Sequence, residues 1–347
     1  MSRIYLDHNA TAPLRAEARA AMIAAMDAVG NPSSVHAEGR AAKAIVEKAR
    51  GQIAEAMGAM AADIVFTSGA TEAAALACAG RDLQGADIEH DAVAAWIEPS
   101  LPVSTDGAVA IDDPAQSAVQ MANSETGVIQ DLPQGLAVSD MTQAFGKIAL
   151  AFDWAQVGMG LISAHKLGGP KGIGALVMPR GTDLAAQIKG GGQEMGRRSG
   201  TENVIAIAGF GAAAEAAARD LADGKWAQIE EFRNILEITL EDSVKSTIFV
   251  GKGARRLPNT SCFAVPGWKG ETQVMQMDLA GVAISAGSAC SSGKVRASRV
   301  LRAMGYDEAT ASSAIRVSLG VETTKDEVEQ FCAIWLRHYE KFRARAA

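Results

Sequence analysis

The chain has 347 residues, of which 48% are hydrophobic and 21% charged, with 33 Lys plus Arg against 40 Asp plus Glu and a net charge of -7. That length favours two domains, and the composition excludes a disordered, collagen-like or coiled-coil chain. The acidic balance offers no basic field to nucleic acid or anionic lipid, and no apolar run reaches the roughly 18 to 20 residues that span a bilayer.

The opening residues 1–13 lack the charged start, apolar run and cleavage site of a signal peptide, which places the chain in the cytoplasm. Four cysteines, Cys78, Cys262, Cys290 and Cys332, are too widely spaced for a metal knuckle or a disulfide framework and stay free thiols in a reducing compartment.

Apolar residues three and four apart (Ile45, Ala49, Ile53, Met57) predict amphipathic helices over residues 15–26 and 39–57. Short apolar runs at 64–67, 118–122, 148–152, 160–163 and 174–178 predict strands of a parallel sheet buried on both faces. The first strand runs into Ser68-Gly69-Ala70-Thr71-Glu72, a small-residue turn before an Ala-rich helix whose N-terminal amides can face a phosphate. A capping box between Gly69 and Glu72 or Ser68 and Thr71 explains the same residues. His90 is either a ring that stacks on a flat aromatic cofactor or an ordinary polar residue.

The predicted strand 148–152 ends in Asp153, with Gln156 three residues on. A buried carboxylate needs a partner. The protonated ring nitrogen of pyridoxal phosphate is one, and Gln156 can then donate to the cofactor's phenolic oxygen; the alternative is Asp153 as a helix N-cap. Strand 160–163 leads into Ser163-Ala164-His165-Lys166 and a glycine-rich turn. Desolvation at a buried strand end lowers a lysine pKa and frees the amine for a Schiff base, whereas a snorkelling lysine needs no function.

The glycine-rich loop 190–203, with Arg197, Arg198, Ser199 and Thr201, is flexible and suited either to reach into an anionic site or to form a long surface turn. Helical pattern then runs over 212–246, and a strand-rich region follows, so the domain change is expected near residue 246. A large domain would span 14–245, and a small one would combine 1–13 with 246–347. Small residues surround Cys290 over 285–293, a setting for an exposed thiol that travels, or else a tight turn in which Cys290 fills space. Arg316, a lone cation in the strand-like run 314–319, suits a substrate carboxylate.

In this order, DHNATAP, GNPSSVHAEGR, FTSGATEA, EHDAV, NSETGVIQD, DWAQ, SAHKLGGPKGIGAL, GGGQEMGRRSGTEN, SAGSAC and AIRVSLG resemble, nearly end to end, the cysteine desulfurases that supply sulfur for iron-sulfur cluster assembly. The resemblance implies the aminotransferase-like pyridoxal phosphate fold, α/β, with a large mostly parallel-sheet domain, a smaller α+β domain and a homodimer. It implies that Lys166 binds the cofactor covalently, Asp153 pairs with its ring nitrogen, Gln156 bonds the phenolic oxygen and His90 stacks on the ring. Ala70, Thr71, Ser163 and His165 would hold the phosphate, with Thr201 reaching it from the neighbouring subunit. Asn123, Ser124 and Arg316 would face the substrate L-cysteine. Cys290 would attack its sulfur, leaving alanine and a persulfide for an acceptor or scaffold protein. No resident metal is implied, although Cys290 could transiently ligate a nascent cluster.

The chain departs from the family pattern at Ser124, where asparagine is usual, at Ala73-Ala74-Ala75, in shortened segments between Glu72 and Asn123, and in ending soon after Arg343. The rival readings are a selenocysteine lyase or another pyridoxal phosphate lyase or aminotransferase, and a catalytically degenerate scaffold subunit. Cys290 discriminates, because a transaminase has no use for a thiol on a mobile loop.

Overall fold

Strand β1 (Ile4–Tyr5) leaves the N-terminus paired in parallel with residues 282–283, so the start of the chain packs with its last third. The computed structural model describes residues 3–287 and 297–346; Cys290 lies outside them. Helices α1 (Ala16–Met26) and α2 (Ala37–Met57) occupy the two predicted helical stretches. The buried stripe of α2, Ala42, Val46, Ala49, Ile53 and Met57, has the three- and four-residue spacing read from the sequence. It stops at left-handed Gly58 (φ 60°), where a Cβ would lie 3.0 Å from the Ala151 Cα.

Next come β2 (Ala62–Thr67), α3 (Ala70–Cys78), β3 (Leu83–Ala86), α4 (Asp91–Ala94), β4 (Ile97–Leu101), β5 (Ser139–Asp140), α5 (Phe152–Ala155), β6 (Gly160–Ser163), β7 (Gly174–Pro179) and α6 (Val204–Ala222). The sheet order β2-β7-β6-β5 continues through bridges from Val138 to Ala118 and from Ser117 to Gln84, reaching β3 and its partner β4. Among the described residues β7 alone runs against its neighbours, and the other pairings are parallel. Side chains alternate between two cores: Ile64, Phe66, Ile162 and Val177 pack with α2 and α6, while Val65, Leu161, Leu176 and Met178 pack with α3. Burial on both faces explains why these strands read as continuous apolar runs.

Of the predicted strands, 118–122 is present only as isolated bridges, and 148–152 is absent from the sheet. Residues 148–151 form a half-exposed loop, and Phe152 starts α5. Its place in the sheet is taken by the stretch around β5, where Ser139 N and Met141 N donate to Met159 O and Leu161 O.

The long helical run also divides. Gly224 is left-handed (φ 73°) and starts α7 (Lys225–Ser243). Trp226, Ile229, Leu236 and Leu240 of α7 join a second core with Ile4, Leu6, Phe263, Phe331 and Trp335, while Val250, Cys262, Ala264 and Ala314 pack into the first. The remaining elements are β8 (Ile248–Phe249), β9 (Thr260–Ala264), α8 (Gly270–Leu279), β10 (Val282–Ala283), β11 (Ser285–Ala286), α9 (Arg299–Ala303), α10 (Glu308–Ser313), β12 (Ala314–Ser318) and α11 (Lys325–Ala346). Strands β11-β12-β9-β8 make an antiparallel sheet. No helix among the described residues is long and apolar enough to cross a membrane.

Candidate active site

Parallel strands deliver their C-terminal ends to one edge of a sheet, and ligands gather there. In this chain that edge presents Asp140 from β5, Ser163 from β6, Gln120 from the bridging segment and His90 shortly after β3. They line a cavity of about 560 Å³ together with Gly69, Ala70, Thr71, Ser124, Gln143, His165 and Lys166.

A 3-10 turn over Ala164–Lys166 follows β6 and brings Lys166 to the cavity wall, where Nζ donates to Asn9 O (2.7 Å) and Ala10 O (2.9 Å). Burial, followed by the charges of Lys166 and Lys171, lowers the His165 pKa to about 4, so the ring is neutral at neutral pH. Its Nδ1 lies 3.1 Å from Thr11 Oγ1. The N-terminus of α3 contributes the first-turn amides of Ala70 and Thr71, a setting that favours an anion. The acid of that turn is engaged elsewhere: Glu72 accepts from Ser68 N (2.8 Å) and pairs with Arg198 Nε (2.7 Å).

Asp153 and Gln156 do not reach this cavity, which corrects their expected placement. Asp153 is exposed on α5 and accepts from Ala61 N at 2.9 Å, and Gln156 is exposed in a left-handed conformation (φ 51°) at the end of α5. Solvent and one amide satisfy Asp153, so no buried charge calls for a cofactor there. The pair with the same spacing that does line the cavity is Asp140 and Gln143. Its signal was present in the sequence, Asp-x-x-Gln directly after Ala137-Val138-Ser139, but the preceding apolar run is too short and too broken to stand out.

Asn123 also faces away from the cavity. It is buried, its Oδ1 accepts from Glu125 N and Thr126 N (both 2.9 Å), and its Nδ2 donates to Ile88 O (3.1 Å). It shapes the turn that presents Ser124. Arg316 on β12 is buried just behind the wall: Nη1 donates to Ser124 O (2.9 Å), Nη2 pairs with Asp7 Oδ1 (2.8 Å), and Nε has no hydrogen-bond partner among the described residues. The loop 190–203 is tied to its own chain. Glu194 takes both Arg50 guanidinium nitrogens (2.9 and 3.0 Å) and the Phe66 amide, Arg197 pairs with Asp63, and Arg198 pairs with Glu72, so neither arginine reaches into the cavity. Thr201 is exposed and lines a separate cavity of about 250 Å³ that shares Ser68 and Gly172 with the first.

The three described cysteines are buried. Burial pushes the thiol of Cys78 up to about 11 and that of Cys332 up to about 12, and raises that of Cys262 as well, so all three stay protonated and unreactive at neutral pH.

Glu125 meets both flanks of the segment that carries Cys290. Its Oε2 accepts from Ser298 Oγ (2.5 Å) and would lie 3.5 Å from a Cβ placed on Gly287. Burial raises its pKa to about 7, against the opposing pull of Ser298 and Arg316. Glu125 is neutral in both states below the unfolded carboxyl pKa, and the folded state loses its contribution as pH rises through 7. Glu125→Gln keeps the oxygen that accepts from Ser298. Its Tm is expected to exceed that of the wild type at pH 8, with the gap closing at pH 5, as checked by thermal melts across that range; a gap independent of pH would contradict the reading.

The aminotransferase class-V family profile matches residues 4–95 and 106–331. Cysteine desulfurase IscS of Dictyoglomus turgidum is 35% identical over 98% of this chain and 95% of its own length, and a cysteine desulfurase of Cereibacter sphaeroides is 36% identical over 99% and 97%. A NifS-like protein from Rickettsia africae superposes with a TM-score of 0.88 at 32% identity, over 97% of this chain and 99% of that one. With this fold and a lysine at the strand-end cavity, the chain belongs to the class-V aminotransferases, a pyridoxal phosphate-dependent family. Within that family it is a cysteine desulfurase.

Proposed function

We propose that the chain converts L-cysteine to L-alanine with pyridoxal phosphate in the 560 Å³ cavity, carrying the sulfur as a persulfide on Cys290 to an acceptor for iron-sulfur cluster or other thio-cofactor assembly. The observation that carries the reading is the meeting of Lys166, Asp140, Gln143, His90 and the α3 N-terminus around one cavity in a chain of this family. The donor set fits the cofactor at each end. The amides of Ala70 and Thr71, the Ser163 hydroxyl and neutral His165 suit a phosphate, with Thr201 of a second copy completing it in a homodimer. Asp140 would keep a proton on the ring nitrogen, Gln143 would donate to the phenolic oxygen, and His90 would lie against the ring.

Bound pyridoxal phosphate supplies an electron sink that weakens the bonds at the substrate α-carbon. Lys166 Nζ, now held by Asn9 O and Ala10 O, would take the cofactor and then move the proton at that carbon. Arg316, oriented by Asp7 and the Ser124 carbonyl, would hold the substrate carboxylate. Cys290 as thiolate would attack the substrate sulfur, breaking its bond to Cβ. The sulfur leaves as the Cys290 persulfide, and proton return to the three-carbon fragment gives alanine. The acceptor and the cytoplasmic setting belong to the same proposal.

Cys290→Ser tests it. This variant is expected to bind the cofactor and L-cysteine with their visible absorbance intact, yet release no sulfide. Mass spectrometry of the wild type after brief exposure to L-cysteine should place one added sulfur on the Cys290 peptide. Added sulfur on a different peptide, or wild-type sulfide from the serine variant, would refute the mechanism and leave an ordinary lyase.

A further inference from the structure

Lys147 is 3% exposed, and among the described residues it makes no ion pair. Burial, then the nearby charges of Lys166 and Arg316, lowers its pKa well below the ordinary lysine range. Its Nζ donates to Gln143 Oε1 (2.6 Å) and to Asn9 Oδ1 (3.1 Å), two bonds that a neutral amine with two hydrogens satisfies. Such a group is costly to bury, and the catalytic steps above make no use of it.

A neutral lysine amine can accept as well as donate, so the Gln143 atom 2.6 Å away is identified from the other end of the carboxamide. At that end Gln143 Nε2 donates to Asn9 O at 3.0 Å, a carbonyl that can only accept and that also takes Lys166 Nζ, which leaves Oε1 toward Lys147. One Gln143 N–H is thereby used, and the second is left to the cavity that Gln143 lines. Asn9 itself is held by Asn259 Nδ2 at its Oδ1 (3.1 Å) and by Thr260 Oγ1 at its Nδ2 (2.8 Å), so the frame around Lys147 is anchored from the second sheet.

We propose that Lys147 is a positioning residue that locks the Gln143 carboxamide with its N–H toward the cofactor's phenolic oxygen. This inference rests on the proposed function, since it needs the cofactor in that cavity. Without Lys147 the carboxamide oxygen loses its donor and only the Asn9 carbonyl opposes a flip, which would turn an oxygen toward the phenolic oxygen. A donor at that oxygen draws charge from the proton shared with the lysine-bound nitrogen and lowers the pH at which the visible band titrates. Its loss raises that pH.

The test is the pH titration of the visible band in protein loaded with pyridoxal phosphate. Gln143→Ala and Lys147→Met should each titrate higher than wild type by about 0.5 to 1 unit, the scale of one net hydrogen bond. The double variant should shift no further than Gln143→Ala alone. Lys147→Gln, which keeps an N–H donor, should titrate as wild type. A Lys147→Met titration equal to wild type, or additive shifts in the double variant, overturns the inference. Should Lys147→Met fail to fold, Lys147→Gln decides alone, a shift as large as that of Gln143→Ala overturning it. A wild type that takes up no pyridoxal phosphate would instead refute the proposed function.

Discussion

Lys166→Ala is expected to yield a folded protein that attaches no pyridoxal phosphate covalently and turns over L-cysteine at least about a thousand-fold more slowly than wild type, as is usual when a covalent catalytic group is removed. The expectation follows from placement. Lys166 sits in the turn after β6, with Nζ 2.7 and 2.9 Å from two carbonyls at the cavity wall, so the amine faces the space rather than solvent at large. Other lysines are differently set: Lys171 lines the rim of the same cavity, and Lys147 is locked between Gln143 and Asn9. Borohydride reduction of the loaded wild type followed by peptide mapping should find the pyridoxyl group on Lys166. A label on Lys171 or Lys147 would displace this assignment, and a labelled Lys166→Ala protein would sink it.

Asp140→Ala is the second large effect. A buried or half-buried pair that loses one partner costs roughly 3 to 5 kcal/mol, equivalent to a hundred- to a thousand-fold or more in rate. A loss of kcat on that scale is expected, with the visible band displaced because the ring nitrogen no longer has an anionic partner. Asp153→Ala should keep wild-type kcat and spectrum, since its carboxylate is exposed and among the described residues meets only the Ala61 amide. Its cost should be a small change in Tm from the lost contact. Steady-state kinetics and spectra of the two variants, taken together, discriminate sharply. If Asp153→Ala were the inactive one, the cavity assignment would be wrong.

The first of these cases shows where sequence pattern suffices. Lys166, His165 and Ser163 sit within four consecutive residues at the end of a strand buried on both faces, so the apolar run, the turn and the chemistry are all local. The Ser68 to Glu72 turn is legible for the same reason, because a helix N-terminus is made by its own first residues. Helices α1 and α2 declare themselves by the spacing of their apolar residues.

Two Asp-x-x-Gln runs lie close together, and local pattern favoured the one behind the longer apolar stretch. That choice depends on which segment hydrogen-bonds to β6. Residues 139–141 do so, and 148–151 lie half exposed at the surface. Asn123 is a similar case, because whether an asparagine faces a ligand or closes its own turn is decided by Ile88 and the amides that it meets. That α7 joins the second core depends on its packing with Phe331 and Trp335, more than eighty residues away in sequence.

By itself, then, the sequence determined the class of fold and singled out the lysine proposed to react and the helix terminus proposed to hold the phosphate, each of which is written in a few adjacent residues. Only the tertiary structure decided which aspartate and glutamine stand at the cavity, and that Asn9, Gln143, Lys147, Lys166 and Asn259 share one hydrogen-bond network. The physical reason is that desolvation and hydrogen-bond satisfaction are set by neighbours in space, brought together by strand order and helix packing that local periodicity does not encode.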